Sequence, residues 1–247
     1  MSKNFELLQQ LEKDKFFGSA IAVGPEFLSQ SESNDENGHR WANDEALRLV
    51  QQIFLLQAQP PPQVVVFAGI DHGSGCSQIC VSVAETLAKN AQRPVCLVEA
   101  NVRSPALPEF FGTTNHRGLT DALLQEGPIS SFAKPIAQEN LTLISSGALA
   151  ADSASLLTSE RLGERLAELR KEFKFVIIDA PPLTQYSDAL AVGKLADGLV
   201  LILEADATRR EPAAVVAASV RSANIPILAA VLNKRTFPIP EKLYRRL

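Results

Sequence analysis

The 247 residues carry 24 Lys and Arg against 28 Asp and Glu, a net charge of −4, and 46% are hydrophobic while only 6% are aromatic. A chain of this length makes one or two domains of about 100–200 residues, and the composition excludes a disordered, collagen-like or all-β secreted protein. Without an excess of positive charge there is no field to draw in nucleic acid or anionic lipid. Three cysteines, Cys76, Cys80 and Cys96, are too few and too clustered for a disulfide framework, which points to a reducing compartment. No apolar run approaches the ~18–20 residues that span a bilayer, and the N-terminus lacks the hydrophobic stretch of a signal peptide. A cytoplasmic protein is expected, one that reaches a membrane only through a partner.

Residues 1–42 read as a flexible N-terminal segment. Phe5, Leu8 and Leu11 recur at helical spacing within it, and the polar run at 29–38 cannot bury enough apolar surface to order itself. Asn43 and Asp44 then cap a helix with apolar Leu47, Val50, Ile53 and Phe54, stopped by Pro60, Pro61 and Pro62. The body, 43–237, alternates β-branched runs at 64–68, 95–99, 141–144, 175–179, 199–204 and 226–232 with helical patterns at 77–90, 159–172, 187–195 and 211–222. A short tail occupies 238–247. Continuous apolar strands separated by helices predict an α/β, Rossmann-like fold: a doubly wound, mostly parallel sheet flanked by helices. Ligands of such sheets bind beyond the carboxyl ends of the strands.

After the first strand, Gly69 leads through Gly73, Ser74, Gly75, Cys76, Ser77 and Gln78 into a helix with Ile79, Val83 and Leu87 on one face. A glycine-rich strand-to-helix loop offers backbone N–H groups and a helix N-terminus to an anion such as phosphate; a loop that merely turns tightly would look the same. The phosphate-loop pattern G-x-x-x-x-G-K-[ST] is not met, because the first glycine falls one residue early and Cys76 occupies the lysine position. The second strand runs into Glu99, Ala100 and Asn101, and the fourth ends at Asp179. An aspartate at such a strand end orients a Mg²⁺-bound water in nucleotide hydrolases, although it would also cap the following turn. Asn233 and Lys234, after the last strand, would contact a base or simply end the sheet. Cys76 and Cys80 lie one turn apart where a helix N-terminus lowers thiol pKa, so a thiol-based redox or metal sensor stands as an alternative; Cys80 also reads as a small core residue.

Taken in order, these segments resemble the bacterial tyrosine kinases of polysaccharide export, a branch of the P-loop ATPases related to partition and septum-site proteins. The resemblance covers roughly residues 43–235. It rests on Glu45-x-x-Arg48-x-x-Gln51, the glycine loop, the stretch ANVRSPALPEFF with Arg103, Pro105 and Phe110, then Gly118-Leu119-Thr120-Asp121, SSGALAADSASLL, VIIDAPPL, SDALAVGKLADGLVLIL and VLNK. It implies a P-loop NTPase domain that binds ATP or ADP with Mg²⁺ through Gly73–Gln78 and Asn233, with Ser77 and Asp179 at the metal. Asp179 and Glu99 would be catalytic, and Glu45, Arg48 and Gln51 would form an oligomer interface. The implied partner is a membrane-anchored polysaccharide chain-length regulator or an active kinase paralogue.

The departures are as informative as the matches. The family lysine facing the β- and γ-phosphates is Cys76 here, the paired aspartates of the second strand are Glu99 and Asn101, and the tyrosine cluster at the C-terminus is reduced to Tyr244. A cation at the transferred phosphate stabilises the transition state more than bound substrate, so its loss harms turnover more than binding. The expectation is a catalytically degraded, pseudokinase-like regulatory subunit of exopolysaccharide (capsule) biosynthesis, with nucleotide binding weak or lost. An active tyrosine kinase or ATPase of the same pathway is the alternative.

Overall fold

The computed structural model describes residues 20–22, 44–56, 60–136, 138–148 and 153–234. The helical spacing of Phe5, Leu8 and Leu11, the polar run at 29–38 and the tail with Tyr244 lie outside the described residues. The strands are β1 (Ala20–Ala22), β2 (Val64–Gly69), β3 (Val95–Glu99), β4 (Lys134–Pro135), β5 (Leu141–Ile144), β6 (Phe175–Ala180), β7 (Gly198–Glu204) and β8 (Ile227–Asn233). The helices are α1 (44–50, running into a π turn at Gln51–Leu56), α2 (Cys76–Ala91), α3 (Leu107–Phe110), α4 (Leu119–Leu124), α5 (Ser153–Leu156), α6 (Glu160–Glu172), α7 (Asp188–Gly193) and α8 (Arg210–Ser222).

The eight strands form one sheet in the order β1-β8-β7-β2-β6-β3-β5-β4. Only β4 is antiparallel, to β5, so the predicted doubly wound, mostly parallel sheet is what the chain builds. The long strands start and end within about a residue of the sequence expectation because their apolar runs are bounded by proline, glycine and charge. The sequence reading contains neither β1 nor β4. Two or three residues are too short for alternation to register, and β1, inside the stretch read as a flexible tail, pairs with β8 at one edge of the sheet, Ala20 opposite Ala230.

Side chains alternate between two apolar layers. Val65 and Phe67 of β2, Leu97 of β3 and Ile177 of β6 face α1 and α2, where they meet Leu49, Phe54, Ile79 and Leu87. Val66, Val98 and Ile178 face the other layer, with Leu166 and Leu169 of α6 and Val216 and Val220 of α8. Phe54 packs edge-on against Phe175 with ring centroids 5.4 Å apart. Strand order then positions the site. β6 inserts between β2 and β3, so Ala68 stands beside Ala180 and Glu99 beside Asp179, although the sequence separates them widely.

Arg165 of α6 is 2% exposed and serves as a polar staple. Its Nε donates to the Ala122 carbonyl at 2.8 Å, and its terminal nitrogens to the carbonyls of Gln125 and Gly127 at 2.7 Å each. These carbonyls belong to the end of α4 and the turn after it, which otherwise lack partners within the helix. Glu168 balances the charge at 2.9 Å. Arg165→Met should cost about 2–4 kcal/mol, because the carbonyls lose their donors while the stem volume is kept. Urea unfolding would read this as a lower midpoint, with Arg165→Lys recovering only part of it, since one ammonium cannot reach three separated carbonyls.

Candidate functional site: a glycine loop over a buried carboxylate

β2 ends at Gly69 and the chain turns into α2 through two glycines with left-handed backbone, Gly73 at φ 83° and Gly75 at φ 81°. Side-chain-bearing residues are strained there, and Gly75, the N-cap of α2, has a second constraint: a Cβ on it would collide with the Asn233 amide. Asn233 is fully buried beneath the loop, and its Nδ2 donates to the Ser74 carbonyl at 2.8 Å. The loop therefore rests on the end of β8 and leaves its N–H groups and the positive end of the sixteen-residue helix α2 facing outward.

Above the loop lies a cleft of about 400 Å³, lined by the backbone and side chains of Gly73, Ser74, Gly75, Cys76, Ser77 and Gln78 together with Asp71, His72, Asn101, Pro105, Phe110, Asp179 and Pro182. Six of the predicted binding residues and Asp179 thus line one cleft together. Asn233 is not among the residues lining the cleft; it supports the loop from below, and its Oδ1 has no hydrogen-bond partner among the described residues.

Asp179, the penultimate residue of β6, is fully buried. Its Oδ1 accepts from the Cys80 thiol at 3.8 Å, and its Oδ2 has no partner among the described residues. Burial lifts its pKa to about 7; the nearby Ser77 hydroxyl holds the rise back, and the Glu99 charge adds to it. Cys76 opens α2 on the same side. Its pKa rises to about 11: the Cys80 thiol opposes the rise, but desolvation and the Asp179 charge outweigh it. Desolvation and the neighbouring carboxylate thus push the Cys76 thiol up, against the helix N-terminus, which by itself would lower it.

Glu99 is equally buried but differently used. Its Oε1 accepts from the Ala106 and Leu107 amides at 2.6 and 2.7 Å, and its Oε2 from the Ser146 amide at 3.0 Å. The carboxylate ties α3 and the loop after β5 to the sheet and is not among the residues lining the cleft. Asn101 does reach the cleft, with its Oδ1 accepting weakly from the Ser104 amide at 3.4 Å. Arg103 turns to Asp188 at 3.1 Å and stacks 4.1 Å over Tyr186. On α1, Arg48 and Gln51 are exposed and Glu45 is half-buried, while Ala46, Leu49 and Val50 face the core. The cleft walls Phe110, Pro105 and Pro182 were not picked out as site residues, since no spacing rule marks them.

The glycine cradle, the helix N-terminus, Ser77 and the unpaired Asp179 oxygen fit a phosphate group carrying a divalent cation. Without that cation the Asp179 carboxylate is a liability. Its folded pKa of about 7 lies above the ordinary 3.8, so the folded state holds a proton that the unfolded chain releases. Stability then falls as pH rises from about 4 to about 7 and levels off above. In metal-free, nucleotide-free protein, Asp179→Asn should raise Tm by several degrees at pH 8, with the gap closing toward pH 4. An equal difference at both pH values would show that Asp179 is not strained.

No protein-family model matches the chain. Among curated relatives, the tyrosine-protein kinase wzc of Salmonella typhimurium is 32% identical over 157 residues, 64% of this chain and 21% of the relative. The succinoglycan biosynthesis transport protein ExoP of Rhizobium meliloti is 26% identical over 178 residues, 70% of this chain and 22% of the relative. The chain thus spans about a fifth of the length of these two relatives. Of solved structures, the kinase domain of the Escherichia coli tyrosine kinase ETK superposes with a TM-score of 0.82 at 17% identity, covering 94% of each chain. The cell-division ATPase MinD of Pyrococcus furiosus superposes with a TM-score of 0.60 at 18% identity, covering 75% of this chain and 80% of its own. Sequence and fold point the same way: over about two thirds of its length the chain is similar in sequence to bacterial tyrosine-protein kinases, and it has the fold of the ETK kinase domain and of MinD.

Proposed function

We propose that the chain is a catalytically degraded tyrosine-kinase homologue that binds Mg²⁺–ADP or Mg²⁺–ATP weakly, turns it over near background, and serves as a regulatory subunit in exopolysaccharide production. One observation carries this reading: no lysine or arginine is among the described residues lining the cleft, and Cys76 stands where the loop would present its cation. The pathway is supported by relatives named for tyrosine kinase activity and for succinoglycan biosynthesis transport. No helix among the described residues is long and apolar enough to cross a membrane. A cytoplasmic chain recruited by a membrane-anchored chain-length regulator, or by an active kinase paralogue, fits that fact. The exposed Arg48 and Gln51 on α1, beside Glu45, supply a surface for self-association or for the paralogue.

A lost charge-assisted hydrogen bond to phosphate costs about 1.5–3 kcal/mol, roughly ten- to a hundredfold in affinity. Backbone N–H groups and the α2 dipole remain, so binding is weakened rather than abolished. Phosphoryl transfer depends on stabilising charge that develops at the transferred group, so turnover suffers more. Titration calorimetry should place Mg²⁺–ADP in roughly the micromolar to millimolar range, with autophosphorylation near background. Cys76→Lys should tighten binding by about tenfold or more while raising turnover less, because Asn101 still cannot act as a base. Robust autophosphorylation of the unaltered chain, abolished by Asp179→Ala, would establish the active-kinase alternative instead.

Charge reversal at Glu45 and Arg48 together should shift the sedimentation profile or abolish capture of a kinase paralogue. Unchanged assembly and capture would reduce this helix face to a solvated surface.

A further inference from the structure

We propose that Cys76, Cys80 and Asp179 form a binding site for a thiophilic divalent cation of the zinc class, set into the floor of the nucleotide cleft. The two sulfurs and a carboxylate oxygen lie within 4.8 Å of one another. A tetrahedral zinc with bonds of ~2.3 Å to sulfur and ~2.0 Å to oxygen spaces its ligand atoms about 3.5–3.8 Å apart. The Cys80 sulfur stands 3.8 Å from Asp179 Oδ1, and the remaining pairs, within 4.8 Å, close by up to about 1 Å to reach that spacing.

Three further features point to an ion rather than to a packed thiol pair. The second oxygen of Asp179 is buried and has no partner among the described residues, which is costly unless something positive reaches it. Cys80 and Asp179 are fixed by the core, one on the buried face of α2 and the other on β6, so two ligands are pre-positioned on rigid elements. Cys76 lines the cleft and provides the entry path, leaving a fourth position for water. Two soft sulfur ligands select zinc, cadmium or cobalt over magnesium, which takes oxygen.

The consequence for the nucleotide site rests on the proposed weak Mg²⁺–nucleotide binding. Each thiol releases its proton to the buffer as its sulfur bonds the ion, so two thiolates, one carboxylate and a doubly charged ion leave a net charge of 2 − 3 = −1 beneath the phosphates. The loaded site repels a nucleotide and occupies the carboxylate that its Mg²⁺ would use. Nucleotide and thiophilic ion therefore exclude one another.

The test uses the full chain, metal-stripped and kept reduced. Titration with Co²⁺ should give sulfur-to-cobalt charge-transfer absorption saturating at one equivalent, and Zn²⁺ should bleach it. Against a chromophoric chelator, Cys76→Ser and Cys80→Ser should each weaken Zn²⁺ binding roughly tenfold or more, while Cys96→Ala, on the other face of the sheet, leaves it unchanged. Mg²⁺–ADP should bind the stripped protein and not the zinc-loaded one. Absence of the cobalt band in the unaltered chain, or its persistence in the Cys76→Ser, Cys80→Ser double variant, would overturn the site. A cobalt band together with no Mg²⁺–ADP binding to stripped protein would sustain the metal site and remove the nucleotide reading.

Discussion

The molecule is organised around two carboxylates buried side by side at the ends of adjacent strands, Glu99 on β3 and Asp179 on β6. Two such charges in one apolar layer are tolerated only if their environments differ. The chain separates them by hydrogen bonding. Glu99 receives three backbone amides and becomes the pin that holds α3 and the loop after β5 against the sheet. Asp179 accepts weakly from the Cys80 thiol, has the Ser77 hydroxyl nearby, and its Oδ2 has no hydrogen-bond partner among the described residues. The satisfied carboxylate anchors α3, whose Phe110 lines the cleft, and the unsatisfied one faces the start of α2, where a cation would be stabilised.

The glycine loop complements that arrangement from the other side. Its left-handed glycines and its seat on Asn233 hold the backbone against the end of β8, so its anion-binding capacity comes from the main chain and the helix and is independent of any side-chain charge. No lysine or arginine is among the described residues lining the cleft. The proposed weak nucleotide binding without efficient turnover rests on that division: main-chain shape and the helix end act on bound phosphate, whereas a side-chain cation acts most on charge developing in transfer.

Replacement of that cation by a thiol also changes the chemistry available. A lysine beside Asp179 would neutralise it, whereas Cys76 and Cys80 surround it with groups that are themselves held neutral by burial. The same three residues that impair a phosphate site are spaced for a soft metal. The proposed weakening of the phosphate site and the proposed metal site involve the same few atoms.

The sequence by itself determined the layering. Apolar runs bounded by proline, glycine and charge give the long strands, the 3.6-residue spacing of Ile79, Val83 and Leu87 gives the buried face of α2, and the glycines of the loop mark where the backbone must turn left-handed, because each is a local property of chain stereochemistry and hydrophobic periodicity. The strands β1 and β4 lay beyond its reach, being too short to show a period and dependent on edges that other strands supply. The roles of Glu99, Asn233 and Cys80 were decided only by the tertiary structure. Each depends on which strand lies next to which: the insertion of β6 between β2 and β3 brings Asp179 under α2, and β8 carries Asn233 beneath the loop. Such contacts join residues far apart in the chain, and whether a polar side chain there faces a ligand or a backbone amide is set by the packing of neighbours that no local pattern encodes.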